Sequence, residues 1–172
     1  GNPFPELNGG ITDPGCQVGR GRTQSITFGI DGLHGYATNG RQMGLPNAGV
    51  WQFTLDATTG APSLVAGTHI LPCNSPTSVT IEPGGRYAYI PGRPDTPVNA
   101  APVIFIHRVD ATTGALTPLA AGATIEASAS IGDVVVDPSG RFAYQTDSIN
   151  PGIYAFAIDG TTGALSPVPG SP

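Results

Sequence analysis

The chain has 172 residues, of which 39% are hydrophobic and 11% charged: enough apolar material for one domain, and not the composition of a disordered polymer. Its 25 glycines and 18 prolines make up a quarter of the sequence, which suits many short strands joined by tight turns and argues against a helical bundle. Twelve acidic residues stand against seven basic ones, all arginine, for a net charge of −5; with no cationic run and no lysine, nucleic-acid binding, a polybasic membrane contact, Schiff-base chemistry and a phosphate-loop lysine are excluded.

Taken along the chain, two motifs recur in a fixed order. After a loop over residues 11–24, the first unit carries a short strand from Ser25, a turn at Asp31-Gly-Leu and the strand HGYATN from His34. A third strand follows over residues 50–55, and then the turn DATTGA from Asp56. The second unit repeats the plan with PGGR from Pro83, YAYIPG from Tyr87, a strand over residues 103–109 and DATTGAL from Asp110. In the third, a β-branched run over residues 133–136 leads into PSGR from Pro138 and FAYQTD from Phe142. Residues 153–158 then alternate Tyr154, Phe156 and Ile158 with small Ala155 and Ala157, and DGTTGAL from Asp159 precedes a short fourth strand. The turn motif recurs at intervals of 54 and 49 residues and the strand motif at 53 and 55, so both keep one period.

In these turns the Asp bonds neighbouring backbone amides, and Gly163 is expected at positive φ. Four strands repeated about every 50 residues predict β-propeller blades. The expected fold is all-β: one domain over residues 1–172 made of three four-stranded antiparallel blades, near residues 1–66, 67–120 and 121–172.

PSGRFAYQTD, IYAFAID and GTTGALSPVPGSP resemble the repeats of lactonase-type seven-bladed propellers (6-phosphogluconolactonase-like) and their YVTN-repeat relatives, over nearly all of residues 25–172. Enzymes of that family place a His at the start of an inner strand. The matching positions here are Ser25, Ser78 and Asp133, so the resemblance implies the fold more strongly than the activity. Glu82 and Asp137 follow inner strands, where they suit either a channel mouth or the turn.

Three blades do not close a ring, and they leave two open sheet faces. Trp51 and Phe53 are expected on one, and Tyr154 and Phe156 on the other. The sequence starts GNPF and ends SPVPGSP, two halves of the family's PGSPF-like blade junction, which places Phe4 at a joint between copies. The expected partner is a second copy joined head to tail, as a six-bladed dimer or an open filament. The alternative is a piece of a longer propeller.

Variable loops collect at the end of each blade opposite the Asp turns, and they carry the candidate binding residues Arg20, Arg22, Arg41, His69, Asn74, Arg93, Asp95 and Asp147. His107 stands where Phe53 and Phe156 stand in the other units, and His34 stands with Tyr87 and Phe142, so both read as packed histidines. No metal motif, cofactor motif or nucleophile elbow is present. Cys16 and Cys73 lie before inner strands of neighbouring blades; a disulfide between them and an exported location, extracellular or periplasmic, are expected. The function that follows is an exported, non-catalytic propeller module acting in binding or assembly. A lactonase-like hydrolase or isomerase with a rearranged site is the alternative; the ligand is not specified.

Overall fold

The computed structural model describes residues 22–40, 49–65, 76–94, 101–119, 124–126, 132–147 and 149–172. They form thirteen strands and no helix, so none of the described residues belongs to a helix long and apolar enough to cross a membrane. The first blade contains β1 (Arg22–Phe28), β2 (His34–Gly40), β3 (Gly49–Leu55) and β4 (Pro62–Leu64), in that spatial order and antiparallel throughout. The second contains β5 (Thr80–Ile81), β6 (Tyr87–Gly92), β7 (Val103–Val109) and β8 (Leu116–Pro118). The third contains β10 (Val134–Val136), β11 (Phe142–Asp147), β12 (Gly152–Ile158) and β13 (Leu165–Pro167).

β9 (Thr124–Glu126) lies in the stretch the sequence assigns to the third blade but pairs with Val103–Phe105 of β7. β8 covers β7 only from His107 to Val109, and β9 continues that outer edge. The C-terminus does the same for the third blade: the Ser171 hydroxyl accepts the Ala155 amide at 2.6 Å and donates to the Ile153 carbonyl.

Burial follows blade order. β6 is buried at all six positions, because the middle blade has a neighbour on both faces. β11 alternates, with Ala143, Gln145 and Asp147 buried and Tyr144 and Thr146 exposed, as expected of a sheet covered on one side. Two apolar layers result. Tyr36 and Val50 of the first blade meet Val79, Ala88, Ile90 and Leu116 of the second. Tyr87, Tyr89, Ile104 and Ile106 of the second meet Val134, Ala143 and Phe156 of the third.

Candidate functional site

The two internal joints use the same parts. Tyr36 donates its hydroxyl to the Gly114 carbonyl in the next blade's Asp turn at 2.6 Å, and Tyr89 donates to the Gly163 carbonyl at 3.0 Å. Both tyrosines are buried, as are both glycines. A second bond runs from the inner strand: Thr27 donates to the Val79 carbonyl at 2.6 Å, and Thr80 to the Val134 carbonyl. Each Asp turn is closed by its own carboxylate. Asp110 accepts the amides of Thr112 and Thr113 at 2.9 and 2.8 Å, and Asp56 and Asp159 do the same. These bonds hold all three carboxyls below the usual aspartate range.

Gly163 has φ 74°, as expected, and the turn glycines are where neighbouring blades touch. A Cβ on Gly114 would lie 2.6 Å from the His34 ring, and one on Gly163 would lie 2.4 Å from the Tyr87 ring. Gly60, the matching residue of the first blade, has φ 68° and nothing within 4 Å. The inner turns behave alike: a Cβ on Gly85 meets Ile30 at 2.5 Å and one on Gly140 approaches Glu82 at 3.6 Å, while Gly32 meets nothing.

Among the described residues, both outer blades therefore keep an open face. On the first, Ile26 (54% exposed) and Phe28 (51%) stand on the side away from the second blade. On the third, Val135 (61%), Tyr144 (38%) and Ile153 (61%) stand away from the second. Tyr144 and Val135 hold the repeat positions of Tyr36 and Thr27, so the donor side of a third joint lies open.

Two of the four residues expected on open faces are elsewhere. Tyr154 and Phe156 pack on Tyr87, Tyr89, Ile104 and Ile106 of the second blade. Repeat symmetry requires this: Phe53 and Phe156 are equivalent, so both point toward the preceding blade, which for Phe156 is the second. Phe53 does lie on the outward side of the first blade, over Gly35 and edge-on to Phe28 at 6.0 Å, but it is buried there; Trp51 is half-buried. Ile26, Phe28, Val135, Tyr144 and Ile153 form the open faces instead. Strand parity referred to Tyr36 would have found Tyr144.

Of the loop candidates, Asp147 ends β11 and is buried; its carboxylate accepts the amides of Ile149 and Asn150 at 2.8 and 3.1 Å, which shapes the turn into β12. Arg93 follows β6 and is half-buried, and Arg22 begins β1. Phe4, Cys16, Arg20, Arg41, His69, Cys73, Asn74 and Asp95 lie outside the described residues.

The carboxylates after the inner strands are turn-formers. Glu82 accepts the amides of Gly84 and Arg86, and Asp137 those of Arg141 and Phe142 at 3.0 and 2.9 Å. In the first blade, Asp31 takes this role toward Leu33 and His34 and pairs with the His34 ring. Among the described residues, no group of three or more His, Cys, Asp or Glu is placed to hold a metal ion. Ser25 is half-buried and Asp133 exposed, while Ser78 is buried with no partner for its hydroxyl among the described residues. His107 is packed as expected, at 1% exposure, yet neither ring nitrogen has a partner, and burial pushes its pKa down to about 4.

No protein-family model matches the chain, and no characterised protein matches it in sequence. Solved structures do match in fold. A provisional 6-phosphogluconolactonase from Bacteroides fragilis NCTC 9343 superposes with a TM-score of 0.68 at 19% identity, covering 86% of this chain and 38% of that one. One from Bacteroides uniformis ATCC 8492 gives the same score and identity, covering 86% and 40%. A protein from Lactobacillus plantarum gives 0.63 at 18% identity, covering 85% and 40%. The chain is thus similar in fold to 6-phosphogluconolactonase-like β-propellers and spans about two fifths of their length.

Proposed function

We propose that this chain is a non-catalytic β-propeller repeat module of lactonase-like, YVTN-repeat type that works by docking through its open blade faces. The observation that carries this reading is the pair of apolar faces, Ile26 and Phe28 on the first blade and Val135, Tyr144 and Ile153 on the third, all at least 38% exposed. Soluble monomers seldom leave contiguous apolar patches of this kind uncovered, and propeller blades ordinarily bury them on one another. The chemistry of the inner strands supports the same reading. Glu82, Asp137 and Asp31 are committed to turn amides, which leaves them poorly placed as general bases.

Light scattering of purified protein at micromolar concentration tests docking: a mass above one chain is expected. A folded species of one chain mass with both faces protease-accessible would overturn it. The alternative, lactone hydrolysis by a rearranged site, draws on the fold similarity and on the buried, unpartnered Ser78 hydroxyl. Sugar-lactone turnover above the buffer rate, abolished by Ser78→Ala, would establish it in place of the docking role.

A further inference from the structure

We infer that the joint between the first and second blades is a built-in point of local opening, with His107 as its acid trigger, while the joint between the second and third stays shut. Both joints lie inside the chain, so this holds whatever adjoins the outer blades, and independently of the docking role. Repeat register sets the two joints side by side. Gln52 stands opposite Tyr36 as Ile106 stands opposite Tyr89, and His107 stands opposite Ala88 as Phe156 stands opposite Ala143. In the second joint the two positions are Ile106 and Phe156, both buried in one apolar layer. In the first they are Gln52 and His107, each 1% exposed. Gln52 Oε1 and both ring nitrogens of His107 have no hydrogen-bond partner among the described residues.

Bonds that cross the joints do not offset this. Among the described residues the first joint holds two without a counterpart in the second: Gln52 Nε2 donates to the Thr113 carbonyl at 2.7 Å, and Thr38 donates to the Thr77 carbonyl at 3.1 Å. The second holds one without a counterpart in the first, from Tyr87 to the Thr161 carbonyl. A net hydrogen bond favours the closed form by about tenfold at best, and a buried polar group left unpaired disfavours it by about fivefold to a hundredfold. The Gln52 carbonyl and the His107 imidazole are two such groups, so the first joint is the weaker. Among the described residues, the titratable groups of its layer are Tyr36 inside it and His34, Asp31 and Asp110 at its rim. A protonated His107 ring therefore has no counter-charge, and burial pushes its pKa down to about 4. In an opened joint it binds its proton near the ordinary 6.5, so closure is complete above pH 6.5 and is lost as pH falls toward 4.

Hydrogen exchange of the whole chain, read by mass spectrometry as protection factors for β2 and β3 against β11 and β12, tests this. In wild type, moving from pH 7.5 to 4.5 should lower the protection of β2 and β3 on the order of fiftyfold and leave β11 and β12 level. His107→Phe supplies the residue of the second joint. It should raise the protection of β2 and β3 about tenfold at pH 7.5 and abolish their response to acid. A loss shared equally by the first and third blades, a loss that persists in His107→Phe, or no loss at all would overturn the local opening. Should His107→Phe not fold, wild type alone decides, by whether the loss is confined to the first blade.

Discussion

His107 should make the joint between the first two blades acid-sensitive in a definable pH window. It lies on the face of β7 that meets the first blade, opposite Ala88 and between Phe105 and Val109. The other titratable groups facing this layer among the described residues are Tyr36, whose hydroxyl is pushed up to about 12, and at the rim His34, Asp31 and Asp110. No carboxylate of the described residues therefore meets the imidazole inside the layer. An unfolded His107 binds its proton near the ordinary value of 6.5, while the folded one binds it only at about 4. Because the folded pKa is the lower one, stability is complete above pH 6.5 and is lost as pH falls toward 4. At about 1.4 kcal/mol per tenfold change in proton affinity, the loss comes to about 3 kcal/mol.

The five aspartates whose pKa is lowered do not blur this window. Asp31, Asp56, Asp110, Asp137 and Asp159 all sit below the usual aspartate value, so their contributions are present above 3.8 and are lost below it. His107→Phe restores the residue that Phe53 and Phe156 supply in the other blades. It should remove the slope between pH 6.5 and 4.5 and raise stability at pH 7.5 by about 1–3 kcal/mol, because buried polar atoms without partners are gone. Urea unfolding at several pH values reads both effects. An unchanged slope, or a less stable variant at neutral pH, would refute the reasoning.

Gly163→Ala should destabilise the fold by about 2–4 kcal/mol, combining a left-handed backbone with a clash against the Tyr87 ring. Gly60→Ala should cost only the backbone part, about 1 kcal/mol, and equal losses in urea unfolding would contradict the open-face geometry. Tyr89→Phe strands the Gly163 carbonyl in a buried joint and should cost about 1–2 kcal/mol, whereas Tyr144→Phe should cost nothing measurable in dilute protein. Non-reducing peptide mapping should recover Cys16 and Cys73 in one linked peptide; two alkylatable thiols in native protein would remove the disulfide and part of the case for export.

Much of the fold could be read from the sequence because turn chemistry punctuates it. Asp56, Asp110 and Asp159 each announce a turn closed by a local carboxylate, and local bonds do not depend on tertiary context. The orientation of each face was harder to read. Alternation in β12 separates Tyr154 and Phe156 from Ala155 and Ala157, yet says nothing about which neighbour each set meets. Only the equivalence of Phe53 with Phe156 decides that, since repeats related by rotation present the same residue to the same side. His107 shows another limit. Its position in a core strand is visible by comparison with Phe53, but the absence of any partner for its nitrogens depends on side chains from another blade. Asp147 reads as a loop polar residue, and its role in turning β11 into β12 emerges only with the backbone.

The third blade's open face keeps the register of the internal ones with less polarity. Toward the next blade, the first unit presents Thr27, Tyr36, Val50 and Gln52, and the second presents Thr80, Tyr89, Ile104 and Ile106. The third presents Val135, Tyr144, Ile153 and Ala155 at these positions. The inner-strand hydroxyl has gone and the tyrosine has stayed. A joint made here gains from burial, at about 25 cal/mol per Å² of apolar surface, but forgoes a bond that both internal joints make. Val135→Thr should return that bond with little change in shape, since both residues are β-branched and the position is 61% exposed in the single chain. Association measured by sedimentation should then tighten by up to about tenfold, the worth of one net hydrogen bond, while the stability of the dilute chain stays level. Weaker association in Val135→Thr would mean that this face meets its partner in some register other than the one the internal joints use.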